Sequence, residues 1–161
     1  MSLRTLHSRF VAAADCLQSM VLFFVRVVCG ISLYTSGIGH LTHVQKTAQF
    51  FTNLHIPFPV ANVYLSGTTE LVGGVLLALG LFSRVAAVPL LFNFCIAYLT
   101  ASTNAVKELL HFSPDDFLSD TAFPFFMASL LVLAFGPGKI SLDFLIARFG
   151  KKKPASAEGK K

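Results

Sequence analysis

The chain has 161 residues, a formal net charge of +5, and a composition that is 54% hydrophobic but only 13% charged, against roughly 25% charged in ordinary soluble domains. With a mean hydropathy of +0.68, this excludes a large-core soluble enzyme and reads as one membrane domain over about residues 1–150. The positive balance excludes nothing about membranes and does not argue for nucleic acid. It sits mostly in a C-terminal tail beside apolar segments, where anionic lipid attracts each cation by roughly 1 kcal/mol.

Residues 3–17 place Leu3, Leu6, Phe10, Ala14 and Leu17 at helical spacing, with Arg4, His7 and Arg9 off that stripe, which predicts a short amphipathic helix on the inner leaflet. A first span follows over about 20–40, with Arg26 at its centre. The apolar run is too long for a signal-peptide core and carries that charge, so it reads as a retained span. In the first outer loop, Val44, Ala48, Phe51 and Leu54 predict a short surface helix, ended by Pro57 and Pro59. A second span over about 58–82 contains Glu70, and a third over about 84–104 carries a stripe of Pro89, Asn93, Ala97, Thr100 and Asn104. A fourth span is expected over about 118–138, closed by the turn Gly136-Pro137-Gly138. A second amphipathic helix over about 140–149 follows, with Leu142, Leu145, Ile146 and Phe149 on its apolar face, then a basic tail at 151–161 of disordered composition. The fold class is therefore an all-α membrane protein, a four-helix transmembrane bundle with short interfacial helices at both termini.

Lys and Arg outside the spans divide ten to two between the two sides, which puts both termini in the cytoplasm. There is no Trp, so Tyr and 17 Phe must anchor the interfaces.

Arg26 and Glu70 are the features that demand a reason, because a charge near mid-bilayer costs on the order of 2.5–3.5 kcal/mol on insertion scales. Counted from the outer ends of their spans, the two lie at matching depth, so each is the natural partner of the other. A structural ion pair and a charged lining for a ligand head group or proton path are both open on this reading. Asn93 and Thr100 offer an amide and a hydroxyl from the third span, and Pro89 removes one backbone hydrogen bond, freeing the carbonyl of Val85. If that face meets Arg26 and Glu70, the bundle holds a polar pocket with apolar walls, the anatomy of a small-molecule site. His40 continues the Arg26 stripe to the outer surface, where a near-neutral pKa suits proton exchange. No carboxylate or Cys stands at ligand spacing beside His40 and His43, so no metal is expected. Cys16, Cys29 and Cys95 form no C-x-x-C motif and read as packing residues rather than a dithiol relay. Nucleotide loops, Ser-His-Asp arrangements and paired carboxylates are absent from the sequence.

With these residues the chain resembles the DoxX family of small four-span membrane proteins. The resemblance runs through Arg26, Ser36-Gly37-Ile38-Gly39-His40-Leu41, Glu70-Leu71-Val72-Gly73-Gly74 and Gly80-Leu81-Phe82-Ser83-Arg84, and closes with Gly136-Pro137-Gly138-Lys139-Ile140-Ser141-Leu142-Asp143. It covers about residues 20–147. It implies a component of a quinone-linked oxidoreductase or respiratory-type complex in a bacterial inner membrane. On that reading, quinone is the lipophilic ligand, Glu70 and His40 exchange protons, and Arg26, Asn93 and Thr100 hold the ligand. The expected partners are membrane lipid and a second protein subunit or a second copy of the chain. Two departures stand out: His40 replaces a Lys of many relatives, and a Cys pair used by some redox relatives is absent. The alternative is a non-catalytic assembly or chaperone subunit, with Arg26–Glu70 as a structural pair and Gly-rich faces docking another protein.

Overall fold

A computed structural model describes residues 3–103, 106–107 and 115–150. Seven helices are described: α1 (Leu3–Thr42), α2 (Val44–Asn53), α3 (Pro59–Leu79), α4 (Ser83–Thr100), α5 (Asp115–Ser119), α6 (Phe123–Phe135) and α7 (Leu142–Gly150). No strand occurs among the described residues. Three helices are long and apolar enough to cross a membrane, His7–Thr42 within α1, α3 and α4, and α6 is a shorter apolar helix. Large apolar side chains stay exposed along them, including Val28 and Ile31 on α1, Val72 on α3, and Val85, Val88 and Leu99 on α4. Such a belt is what lipid covers. The chain is a multi-pass, all-α membrane protein.

Two boundaries differ from the sequence expectation. Residues 3–17 are helical but do not form a separate helix: α1 runs unbroken over 40 residues, about 60 Å and twice the usual hydrocarbon thickness. Nothing between Leu17 and Met20 breaks the helix, since this stretch lacks the Gly and Pro that would force a turn. The fourth apolar helix occupies Phe123–Phe135, shorter than the expected 118–138. Asp120 stops it at the front by accepting the Ala122 N–H at 2.8 Å, and Gly136, at φ +79°, ends it. The helix expected in the first loop is α2, with Ala48 as its buried residue. Asn104, Glu108, His111 and the 151–161 tail lie outside the described residues.

The close pair is α1 with α3, and the reason is glycine. A Cβ on Gly30 would stand 2.6 Å from the Gly74 carbonyl oxygen, and one on Gly37 would stand 2.6 Å from the Leu71 nitrogen. Only hydrogen at those positions lets the two backbones meet, the usual device between membrane helices. Gly30, Gly37, Gly67 and Gly74 all face neighbours within the chain. The faces expected to dock another protein are therefore occupied by intramolecular packing. On the other side, Leu33, Leu77, Ala87, Leu90, Ala128 and Val132 form the buried core between α1, α3, α4 and α6. Tyr98 stacks on Phe117 at 4.5 Å and donates to its carbonyl at 3.1 Å, tying α5 to α4.

Candidate functional site

The packing fixes the relative depth of the two spans. Gly30 lies against Gly74 and Ala78, Gly37 against Gly67 and Leu71, and the antiparallel register continues to Arg26 against Gly80. Glu70 is then level with Ser36 rather than Arg26. Ten residues separate Arg26 from Ser36, or about 15 Å along α1. The expected Arg26–Glu70 pair does not form: the described ion pairs are His40–Glu70 and Lys139–Asp15. Counting inward from assumed span ends misjudged the register, because α3 begins beyond the end of α1, opposite α2.

Arg26 instead organises the other end of the bundle. Its side chain is completely buried; Nε donates to the Leu22 carbonyl at 3.4 Å, and Nη2 to the Ile140 carbonyl at 2.5 Å. Nη1 fills the space over Gly80, where a Cβ would lie 1.8 Å from it. Gly80 caps α3 in the left-handed conformation, φ +69°, and Asp143 N–H donates to its carbonyl at 3.0 Å. The Asp143 carboxylate accepts from the Phe82 and Ser83 N–H groups at 2.8 and 3.0 Å and from the Ser83 hydroxyl at 3.2 Å. This is a carboxylate at the N-terminus of α4, where unsatisfied N–H groups favour it. Ser141 caps α7 in turn, accepting from Phe144 N–H at 3.1 Å. The blocks Gly80–Arg84 and Gly136–Asp143, far apart in sequence, thus form one clasp around Arg26. Its role here is positioning, and it lies outside the cavity described next.

Glu70 is the twelfth of the 21 residues of α3, near the middle of the span, and is 5% exposed. Three neutral donors surround its carboxylate. Oε2 accepts from Ser36 Oγ at 2.7 Å, and Oε1 accepts from Asn93 Nδ2 at 3.1 Å and Ser66 Oγ at 3.3 Å. His40 approaches with Nδ1 at 3.6 Å from Oε2. That is ion-pair range but too long for a hydrogen bond, and Nδ1 is buried without a hydrogen-bond partner. A small ring movement would close the gap.

Beside this group opens a cavity of about 820 Å³ between α1, α2, α3, α4 and the start of α6, within the usual size of ligand sites. Ser36, His40, Ser66, Glu70 and Asn93 form its polar wall, and phenylalanines form much of the rest. Leu65, Phe92 and Ile96 line it while remaining exposed on the outer surfaces of α3 and α4. Phe50 on α2 lines it and is exposed as well, so the cavity is reached from outside along the α2, α3 and α4 walls. Pro89, Asn93, Ala97 and Thr100 all line it, which places the third-span stripe on the cavity as its spacing suggested. Thr100 stands towards one end, with its hydroxyl donating to the Ile96 carbonyl at 2.8 Å. Of the candidate residues, the structure brings together Glu70, His40, Asn93 and Thr100 and leaves Arg26 out. Sequence reading missed Ser36 as a Glu70 ligand and Asp143 as the α4 cap. The i, i+4 relation of Ser36 to His40 was available as a signal for the first.

Among the described residues no group of three His, Cys, Asp or Glu side chains is placed to hold a metal ion.

The DoxX family model matches residues 21–103, just over half of the chain. Among curated proteins, CatD of Bacillus subtilis (strain 168), which carries the provisional name of an oxidoreductase, is 31% identical over 81 residues. That match takes in 50% of this chain and 59% of CatD, so the chain spans less than two thirds of that relative. A membrane protein of Mycobacterium tuberculosis (strain ATCC 25618 / H37Rv), Rv3486, is 28% identical over 125 residues, 74% of this chain and 77% of its own length. No solved structure matches the chain. The matched region holds His40, Glu70 and Asn93 of the cavity wall and Arg26 and the Gly80 turn of the clasp, whose Gly136–Asp143 half lies beyond it, and on that match the chain belongs to the DoxX family.

Proposed function

We propose that the chain is the membrane component of an oxidoreductase and binds a lipophilic redox ligand of the quinone class beside Glu70. The observation that carries this reading is a carboxylate 5% exposed at mid-span, set in the wall of a cavity of about 820 Å³ whose lining includes lipid-exposed residues of α3 and α4. An intramembrane carboxylate is expensive and marks a functional site by default. The packing of α1 on α3 rests on glycine and does not require it.

The chemistry follows from the groups present. A quinol hydroxyl donates its hydrogen bond to Glu70, and the hydroxyl proton passes to the carboxylate as the ring is oxidised. His40, one step further along α1, takes that proton towards the outer end of the bundle. Two electrons and two protons leave per quinol; the second proton follows the first through Glu70 and His40 once the first has moved on, and the electrons pass to a redox partner subunit. In the reverse direction, the second amide hydrogen of Asn93 is the donor for the carbonyl oxygen. The name of CatD supports an oxidoreductase setting, and the resemblance of the Glu70 and His40 blocks supports carrying it to this chain.

The test is mass spectrometry of lipids and quinones extracted from gently purified protein, comparing wild type with Glu70→Gln. Quinone retained by the wild type and depleted in the variant is the expected result. Bulk phospholipid alone in both would overturn the reading.

A further inference from the structure

The walls of the cavity are one-sided in charge. Glu70 and Asp120 line it, His40 is its one basic side chain among the described lining residues, and no Lys or Arg is among them. Glu70 stands at one end. At the other, Asp120 accepts from the Ser102 hydroxyl and from the Ala122 N–H at 2.8 Å. Along α4, Asn93 and Thr100 on the cavity wall are seven apart, or about 10 Å, and Ser102 follows just beyond the end of the helix. Phe50, Phe51, Phe92, Phe94 and Phe125 line the space they bound.

Fixed negative charge in a low-dielectric chamber draws in cations and repels anions. The aromatic faces add a further attraction for a cation. A small metal ion is not the match. The groups that ring the Glu70 carboxylate point donors at it, Ser36 and Ser66 through hydroxyls and Asn93 through its amide nitrogen, whereas a hard cation needs several oxygen lone pairs. The occupant that fits both the charge and the apolar walls is a weakly hydrated organic cation. Its route from lipid passes lining residues that are themselves exposed, Leu65 and Phe92 at 64% and 67%.

We propose that this cavity is a binding site for lipophilic organic cations, with Glu70 as the principal counter-charge, Asp120 as the secondary one and the phenylalanines as the contact surface. This selectivity comes from the wall charges and does not depend on the redox reading of the site.

Two probes of nearly the same shape and opposite charge decide it: tetraphenylphosphonium and tetraphenylborate, titrated into full-length protein in neutral detergent. Saturable binding of the cation alone is expected. Glu70→Gln should weaken it at least tenfold and Asp120→Asn about threefold. Thr100→Lys, a new cation at the C-terminal end of α4 where the helix dipole favours one, should weaken it at least tenfold without altering the Glu70 ring. Equal saturable binding of both ions overturns the proposal, as does an unchanged affinity in Glu70→Gln. Should Glu70→Gln fail to fold, Thr100→Lys decides, and an unchanged cation affinity there also overturns it. Because neither probe is a quinone, loss of the redox reading leaves this result standing, and the reverse also holds.

Discussion

A double-mutant cycle with Arg26→Met and Glu70→Gln separates the observed arrangement from the ion pair that the sequence invites. Removing Arg26 deletes a buried guanidinium and its bond to the Ile140 carbonyl, and should cost about 3 kcal/mol. Glu70→Gln keeps the shape but turns an amide NH2 towards neutral donors, costing about 1–2 kcal/mol. The interaction between the two changes is the decisive quantity. A contacting pair about 4 Å apart interacts by about 4 kcal/mol at an effective dielectric constant of about 20, whereas charges about 15 Å apart interact by about 1 kcal/mol. Equilibrium unfolding of the four proteins in mixed detergent micelles should therefore give a coupling energy of at most about 1 kcal/mol. A coupling of about 3 kcal/mol or more would refute the register derived from the Gly30–Gly74 and Gly37–Leu71 contacts. The same register predicts that swapping the charges, Arg26→Glu with Glu70→Arg, rescues neither site.

The clasp predicts that Asp143→Ala removes three hydrogen bonds from the start of α4 and destabilises by about 1–2 kcal/mol; limited proteolysis should then cut near α7 faster, and unchanged cleavage would count against it. Gly80→Ala adds a left-handed penalty of about 1–2 kcal/mol to a Cβ only 1.8 Å from Arg26 Nη1, so its thermal transition should fall by more than that of Gly39→Ala, where a Cβ meets nothing. For the orientation expected from the Lys and Arg distribution, a membrane-impermeant maleimide should label the exposed Cys16 from the cytoplasmic face only, and should miss Cys29, which is buried, and Cys95, which lies within the apolar α4; labelling of Cys16 from the outside of intact cells would reverse the topology.

The architecture was legible because membrane spans announce themselves by length and apolarity, and because Pro59 opens α3 while Gly136 falls where α6 ends. The stripe Pro89, Asn93, Ala97, Thr100 could be read onto one face, since helical periodicity is local and survives without knowledge of the neighbours. The pairing of Arg26 with Glu70 could not, because it depends on how far α1 slides along α3. That offset is set by close backbone approaches at Gly30 and Gly37, and one heptad of slip changes every cross-helix partner while leaving each helix's own pattern intact. The clasp was hidden for a related reason. Asp143 reaches back 60 residues to cap α4 at Ser83, and no spacing rule connects a carboxylate to a helix start that distant.

With Arg26 accounted for at the clasp, Glu70 has no guanidinium to neutralise it, and this sharpens what its charge is for. Ser36, Ser66 and Asn93 solvate the carboxylate but bring no positive charge, and His40 at 3.6 Å offers one only when protonated. A glutamine at this position would satisfy packing, and an apolar residue would suit the lipid-side environment better on transfer cost alone. The ionisable group stands at mid-span in the cavity wall with His40 3.6 Å away, where the charge can be met by a proton from a bound ligand or by the ligand's own positive charge. Both outcomes require the carboxylate itself, and a Glu70→Gln protein that folds, retains no quinone and loses its cation site would tie them to one atom pair.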